Sequence, residues 1–181
     1  MNFLFFLLIF ILGNEINAMN LLEEKKNQVN SFLEGWEFIS DQVMGGVSNG
    51  KLELHSEGEK KYLRLKGNVS TENNGGFIQF RSSFVIKNDD YKGIRLKVRG
   101  IPSEYFIHIR TKFLFLPWQY YSGKFSVKNE WAEIEILFSD FKKSNFYQPS
   151  DFISSEIDSI GFVAFGKDFE AELDVIEAII F

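Results

Sequence analysis

The sequence predicts an all-β fold, an antiparallel β-sandwich, and three observations carry this prediction. From residue 51 onward, apolar side chains alternate with polar ones, which is the period of a half-buried strand. About nine such segments follow one another at the spacing typical of an antiparallel sandwich. With 45% hydrophobic residues in 181, the chain can also build the core of one ordinary domain.

The alternation is clearest in two of these segments. In GIRLKVRG three apolar residues alternate with Arg95, Lys97 and Arg99, and in WAEIEILF apolar residues alternate with Glu133 and Glu135. The other predicted strands, in chain order, are KLELH, YLRLKGNV, GFIQFRSSF, YFIHIRT, QYYSGKFSV, SIGFVAF and FEAELDVIEAIIF. Turns separate them, because the Asn, Asp and Gly residues of TENNGGF and KNDDYKG tolerate positive φ.

The first 18 residues differ in composition from the rest of the chain. Phe3 to Leu12 is an unbroken apolar run, too short to cross a bilayer but typical of a signal peptide, and a plausible cleavage site follows Ala18. No Lys or Arg precedes the run, so an uncleaved membrane anchor stays open as the alternative. We therefore expect residues 1–18 to export the protein to the periplasm or the medium, or else to anchor it to a membrane.

The remaining chain is expected to hold one domain. Residues 19–31 are predicted to form a linker or a short helix, and residues 32–181 the β-sandwich. Without residues 1–18 the chain has 20 basic and 24 acidic residues, a net charge of −4, which does not favour a nucleic-acid partner. Membrane contact is expected only if the amino-terminal segment is retained.

Several classes of site find little support in the composition. The chain has no cysteine, which excludes disulfides, thiolate metal sites and cysteine nucleophiles. Its two histidines, His55 and His108, lack the spacing of a zinc site, and His108 is expected to be a half-exposed strand residue. Asp89 and Asp90 lie in a turn that suits calcium, but their spacing is not diagnostic. No metal or other cofactor is predicted.

Charged residues mark the polar side of several predicted strands. The basic and polar set is Arg64, Lys66, Gln79, Arg81, Arg95, Lys97, Arg99, His108 and Arg110, and the acidic set is Glu133, Glu135, Glu170, Glu172 and Asp174. If the four strands of the basic set share a sheet, that sheet has a cationic outer face suited to an anionic ligand or protein. The simpler interpretation is cross-strand ion pairing between the two sets.

The segment TKFLFLPWQYY places five aromatic residues around Pro117. Proline interrupts strand pairing, so part of this segment is expected to leave the sheet. About half of its aromatic rings are expected in the core, and Trp118, next to the proline, is the best candidate for an exposed ring that contacts a sugar or a protein.

Two glycine-rich segments point to a known family. WEFISDQVMGGVSNGKLEL and, later, GNVSTENNGGFIQFRS together resemble the complex I intermediate-associated protein 30 family, whose members carry W…SDxVMGGxS and then NNGGF…R. The resemblance continues through RLKVRG, YFIHIRT, GKFSV, EWAEIEILFSDF and SIGFVAF, and so spans Phe32 to Phe181. One departure is RGIPSEY, which stands where the family usually has a glycine-rich turn.

The resemblance implies a galactose-binding-like jelly roll, the architecture of many carbohydrate-binding modules. It also implies that the two glycine-rich loops meet, with Asp41 to Ser48 against Asn73 to Phe77 and near Arg81. Gly45 and Gly46 allow close backbone approach, and Asp41 and Ser48 can bond nearby amides. Met44 and Val47 are expected to pack inward.

Three functions compete at this point. The mitochondrial members of the family are assembly chaperones of respiratory complex I, which implies a non-catalytic binding or assembly-factor domain for a protein partner, with a membrane-bound complex as one candidate. The alternative is an exported carbohydrate-binding module. An enzyme is the third hypothesis, because Arg81, His108 and Arg110 could stabilise an anion, but no base–nucleophile pair is recognisable. The candidate binding residues are Asp41, Met44, Gly45, Gly46, Ser48, Asn73, Asn74, Gly75, Gly76, Arg81, His108, Arg110 and Trp118.

Overall fold

The computed structural model describes residues 18–28 and 33–181, which form two antiparallel sheets packed face to face. These residues contain one α-helix, α1 (Leu21–Gln28), and four short 3-10 helices, at Asp41–Met44, Glu72–Asn74, Phe138–Asp140 and Ser154–Glu156. Their strands are β1 (Met19–Asn20), β2 (Glu37–Ser40), β3 (Asn49–Glu57), β4 (Lys60–Val69), β5 (Phe77–Ser83), β6 (Gly93–Gly100), β7 (Ser103–Thr111), β8 (Tyr121–Val127), β9 (Ala132–Leu137), β10 (Lys142–Lys143), β11 (Ile157–Phe165) and β12 (Phe169–Ile180). The predicted all-β sandwich is confirmed.

The strand order differs between the two sheets. The first sheet runs β3-β4-β12-β6-β9, with β1 paired to the last residues of β12. The second sheet runs β10-β8-β7-β11-β5-β2. All nine segments with an alternating pattern form strands, whereas β1, β2 and β10 are too short, at two to four residues, to show a period.

Apolar side chains from both sheets form one continuous core. Leu65 and Ile94 of the first sheet and Phe80 and Phe162 of the second are fully buried in it. Trp36, just before β2, packs edge-on against Phe80 with ring centroids 5.3 Å apart. The alternation seen in the sequence therefore corresponds to burial of one side of strands such as β6 and β7, whereas the central strand β11 is buried on both sides.

The amino-terminal part of the described chain belongs to the sandwich. Met19 pairs with Ile180 of β12, and Leu21 and Leu22 of α1 are buried in the core. The side chain of Asn20 accepts a hydrogen bond from the backbone amide of Leu22 at 3.1 Å. The expected signal peptide covers residues 1–18, and all of it except Ala18 lies outside the described residues. Within residues 18–28 and 33–181, α1 falls well short of the length and apolarity of a transmembrane helix.

The connections between strands gather at two opposite ends of the sandwich, because all neighbouring strands of the described residues are antiparallel. The glycine end consists of residues 41–48, 70–76, 100–102, 128–131 and 166–168. The aromatic end consists of residues 84–92, 112–120 and 138–156, and β12 also finishes there. The two ends present different chemistry.

The condition for a cationic face is not met, because β4 and β6 lie in the first sheet while β5 and β7 lie in the second. Cross-strand ion pairing, the simpler interpretation favoured from the sequence, is confirmed on the first sheet. Its pairs are Arg64–Asp174 at 2.6 Å, Lys66–Glu172 at 2.9 Å, Arg95–Glu135 at 2.6 Å, Lys97–Glu133 at 3.5 Å and Arg99–Asp174 at 2.9 Å. Charges on this face are therefore matched within the molecule.

Candidate functional site

The two glycine-rich loops meet at a buried carboxylate, that of Asp41. One of its oxygens, Oδ2, accepts hydrogen bonds from the amide of Gly76 at 2.5 Å and from the hydroxyl of Ser48 at 2.5 Å, and the amide of Phe77 lies at 3.3 Å. The other, Oδ1, accepts the amide of Ser48 at 2.9 Å. We call this arrangement the aspartate clasp (Asp41, Ser48, Gly76 and Phe77). The predicted meeting of the loops is confirmed.

Close packing explains the glycines beside the carboxylate. A Cβ atom at Gly46 would lie 2.3 Å from Cγ of Asp41, and one at Gly75 would lie 2.4 Å from Oδ2. Asn73 and Asn74 continue the second loop in the left-handed region, with φ of 57° and 59°, and the side chain of Asn73 donates to the carbonyl of Gly45 at 3.3 Å. Only a residue without a side chain fits at positions 46 and 75.

The electrostatics of the clasp favour a structural role. Burial by itself raises the pKa of Asp41, but the hydrogen bonds from Gly76, Ser48 and Phe77 outweigh it and hold the pKa below its ordinary value. The carboxylate is therefore charged and satisfied by donors of its own chain. We infer that the clasp fastens two loops and leaves the ligand-binding role to other residues.

Met44 and Val47 do not pack inward as predicted. Their side chains are 65% and 40% exposed, because Asp41 rather than an apolar residue occupies the space between the two loops. The prediction that Arg81 lies near the two glycine-rich loops is also wrong. In the register of β2 and β5, Ser40 pairs with Ile78 and Glu37 with Arg81, so Arg81 lies toward the aromatic end.

A polar cleft of about 540 Å³ opens at the aromatic end of the second sheet. Arg81 lines it and donates to the carboxylate of Glu37 at 3.3 Å. The lining residues are Lys25, Gly35, Glu37, Arg81, Ser82, Ser83, Arg110, Phe115, Pro117, Asp158 and Ser159. Because cations and carboxylates both line the cleft, it is not a dedicated anion site. The sequence analysis did not identify Glu37 and Asp158 as cleft residues, because nothing in the sequence distinguishes single acidic residues outside a motif.

Arg110 holds the loop between β7 and β8. One nitrogen, Nη1, donates to the carbonyls of Leu116, Pro117 and Gln119 at 2.8 to 3.0 Å, and Nη2 donates to the carbonyl of Leu114 at 3.0 Å. Burial and the nearby charge of Arg81 lower the pKa of Arg110. The guanidinium thus orders residues 112–120, and its donors are engaged by the chain itself.

His108 sits at the centre of the outer face of the second sheet, stacked on Tyr120 with ring centroids 3.9 Å apart. Phe165 contacts it edge-on at 5.8 Å, and Phe106 contacts Phe165 at 5.9 Å. The Nε2 atom of His108 is buried and has no hydrogen-bond partner in the described part of the chain. Burial lowers the pKa of His108 to about 3, so the ring is neutral at physiological pH.

These contacts argue against the anion-stabilising group proposed from the sequence. His108 is neutral, Arg110 is engaged by backbone carbonyls, and Arg81 is paired with Glu37. No cluster of three metal-ligating side chains occurs within residues 18–28 and 33–181.

Trp118 is 58% exposed, as the sequence predicts, and it belongs to a larger apolar surface. Phe115, Phe146 and Tyr147 at the same end are more than 80% exposed. The sequence analysis did not identify Phe146 and Tyr147, although this aromatic pair in the turn-rich segment NFYQPS is a signal that could have identified them.

A sequence model of the family described as complex I intermediate-associated protein 30 matches residues 24–175. The chain belongs to this family. The match contains both loops of the aspartate clasp and extends from α1 into β12, so the complex I intermediate-associated protein 30 domain corresponds to the sandwich itself. No curated protein matches the chain by sequence.

The solved structures similar to this family member include carbohydrate-binding modules. The family 11 module of the cellulase Lic26A-Cel5E from Clostridium thermocellum has a TM-score of 0.61 at 18% identity, over 81% of this chain and 87% of that one. The same type of module in complex with a β-1,3-1,4-mixed-linked tetrasaccharide has a TM-score of 0.60 at 17% identity, over 82% and 89%. A CBM4 structure has a TM-score of 0.52 at 14% identity, over 80% and 85%. These similarities show the galactose-binding-like jelly-roll fold.

Proposed function

We propose that this chain is a non-catalytic binding domain that acts as an assembly factor, and that it recognises a protein partner through the outer face of its second sheet. Membership of the complex I intermediate-associated protein 30 family supports the class of function. The single observation that carries the choice of surface is the contrast between the two outer faces.

The outer face of the first sheet is occupied by its own ion pairs. Asp174 is 1% exposed and accepts hydrogen bonds from Arg64 and Arg99, and Arg95 and Lys97 are matched by glutamates of β9. A ligand bound there would have to break such pairs, at the cost of leaving charges without partners.

The outer face of the second sheet offers different groups. Phe106, His108, Tyr120 and Phe165 form an aromatic cluster on it, and the polar cleft beside Arg81 adjoins this cluster. Aromatic residues and arginine are enriched at the centres of protein interfaces, because they combine a large apolar area with polar groups. This face therefore suits a partner protein with a mixed apolar and charged surface.

A glycan is the second candidate ligand for the same face. Aromatic rings beside polar side chains can hold a sugar ring, and a structurally similar module has been solved with a mixed-linked tetrasaccharide. The buried Nε2 atom of His108 could accept a sugar hydroxyl if Tyr120 moved aside.

A matched pair of variants tests the proposed face. Arg81 and Arg95 are both 41% exposed and both paired with one glutamate, but they lie on opposite sheets. In affinity capture from native membranes, we expect Arg81→Glu to weaken recovery of a reproducible protein partner about tenfold and Arg95→Glu to leave it unchanged. Equal recovery by both variants, or recovery of no partner by the wild type, would contradict the proposal.

Gel retardation on a mixed-linked β-glucan and on cell-wall polysaccharides decides between the two ligands. The ligand is a glycan if the wild type and Arg95→Glu are retarded, Arg81→Glu is not, and affinity capture recovers no protein partner.

A further inference from the structure

A second surface is built from exposed apolar side chains at the aromatic end, and it meets the polar cleft at Phe115 and Pro117. Phe115, Phe146 and Tyr147 are 86%, 83% and 89% exposed, and Trp118 is 58% exposed. Residues 112–120 and 141–150, here called the aromatic loops, carry all four. Large exposed apolar patches are uncommon on soluble domains and usually mark a docking surface.

The aromatic loops are fastened to each other and to the sandwich. Ser144 accepts a hydrogen bond from the amide of Tyr120 and donates to the carbonyl of Trp118, both at 2.9 Å. Gln148 donates to the carbonyl of Tyr120 at 3.0 Å, and Arg110 holds the first loop through four carbonyls. The rings are thus presented to solvent by an ordered support.

Charge accompanies the exposed rings. The aromatic loops contain Lys112, Lys142 and Lys143 and no Asp or Glu, although the chain as a whole has an excess of acidic residues. The nearest acidic residues in sequence to the second loop, Asp140 and Asp151, lie on either side of it. Lys143 lies over the ring of Phe146, with Nζ 5.7 Å from its centroid. Aromatic rings beside lysines suit a binding partner that has an apolar interior and a negatively charged surface.

The chain also enters the sandwich at this end. Met19 pairs with Ile180, the last residue of β12, and β12 finishes at the aromatic end. In the sequence, Leu12, the last residue of the apolar run, precedes Ala18 by six positions, a distance that spans at most about 20 Å.

We propose that the aromatic loops dock this protein on an anionic lipid bilayer. Phe115, Trp118, Phe146 and Tyr147 enter the boundary between headgroups and acyl chains, where aromatic side chains are most stable. Lys112, Lys142 and Lys143 lie at the level of the lipid phosphates, which attract basic residues near the surface.

Tryptophan fluorescence provides a direct test, because the three tryptophans occupy distinct places. Trp118 is exposed at the aromatic end, Trp36 is buried in the core, and Trp131 lies at the glycine end beneath Arg99. The full chain, purified with its natural amino terminus, is mixed with vesicles of phosphatidylcholine alone or with phosphatidylglycerol added, carrying bromine on the acyl chains. We expect quenching by the anionic vesicles that disappears in Trp118→Phe.

A double substitution tests whether the loops cause the binding. Phe146→Ser with Tyr147→Ser, which leaves the lining of the polar cleft intact, is expected to reduce sedimentation with anionic vesicles about tenfold. The matched control is Val43→Ser with Met44→Ser, which removes two exposed apolar side chains from the glycine end and is expected to bind as the wild type does.

Two results would overturn the proposal. One is vesicle binding in which Trp118 is not quenched and the loop variant binds normally, since the amino-terminal segment would then act alone. The other is a loop variant that keeps its vesicle binding but loses a protein partner, since the loops would then be a protein-docking surface.

Discussion

The carboxylate of Asp41 accepts a hydrogen bond from the amide of Gly76 at 2.5 Å and so joins two loops that are 35 residues apart in sequence. The chain has no cysteine and cannot fasten these loops with a disulfide. A buried charge held by four donors serves this purpose, because removing any donor leaves part of the charge unsatisfied in a low-dielectric site.

Replacing Gly46 with alanine should destabilise the protein more than replacing Gly45. The new Cβ at position 46 would overlap Asp41, whose side chain is pinned and cannot move away, at a cost of about 3 kcal/mol. Gly45 has open space around it but a φ of 90°, so alanine there costs about 1 kcal/mol in backbone strain. Urea unfolding of both variants measures the difference, and equal losses would contradict the close-packing explanation.

Replacing Asp41 with asparagine should cost about 3 kcal/mol at pH 7, because backbone amides that now face a carboxylate would face an amide group. The folded pKa of Asp41 lies below its unfolded value, so its contribution to stability is complete above about pH 4 and is lost as pH falls through the folded pKa. Urea titrations between pH 7 and pH 2.5 should show less acid sensitivity in Asp41→Asn. If the unfolding free energy of Asp41→Asn depends on pH as that of the wild type does, other carboxylates cause the acid sensitivity.

Replacing Arg110 with lysine should loosen the loop between β7 and β8. A lysine ammonium has three donors at one point and cannot reproduce the planar contacts of Arg110 with four carbonyls. We expect amide hydrogen exchange in residues 112–120 to accelerate at least about tenfold. Arg95→Lys is the control, since its partner is a single exposed glutamate, and equal exchange in the two variants would refute the role of Arg110.

Replacing His108 with phenylalanine should reduce the loss of stability on mild acidification. The folded pKa of His108 is about 3, whereas an unfolded histidine titrates near 6.5. Between these values the unfolded chain binds a proton that the folded protein does not, so stability falls as pH falls from about 6.5. Unfolding free energies at pH 7.5 and pH 5 measure this, and the difference between the two should be smaller in His108→Phe. In the wild type, the ring signals of His108 in NMR spectra should stay constant over the same range.

The positions of the long strands could be predicted from the sequence, but the neighbours of each strand in its sheet could not. Alternation in GIRLKVRG showed which residues of β6 face the core, because that depends only on the two-residue period of one strand. It did not show that β6 lies between β12 and β9, because sheet order depends on contacts between distant segments. For the same reason the sequence could not decide whether the basic side chains share one face, because alternation within a strand does not say which strands are neighbours.

The candidate site shows the same division. The meeting of the two glycine-rich loops was predicted from family resemblance, and the exposure of Trp118 from the adjacent Pro117. The predicted inward packing of Met44 assumed that an apolar residue fills the space between the loops, and Asp41 fills it instead. The engagement of Arg110 by carbonyls of the following loop could not be seen, because it depends on how that loop folds back.

The sequence by itself determined the all-β class, the inward side of each long strand and the family, since these are carried by local period and by short motifs. Only the tertiary structure decided that the glycine-rich loops form a structural clasp at one end while the exposed aromatic rings stand at the other. The physical reason is that burial, charge pairing and hydrogen-bond satisfaction depend on neighbours that are remote along the chain. The separation of the aspartate clasp at one end of the sandwich from the exposed aromatic rings at the other is therefore a property of the folded protein.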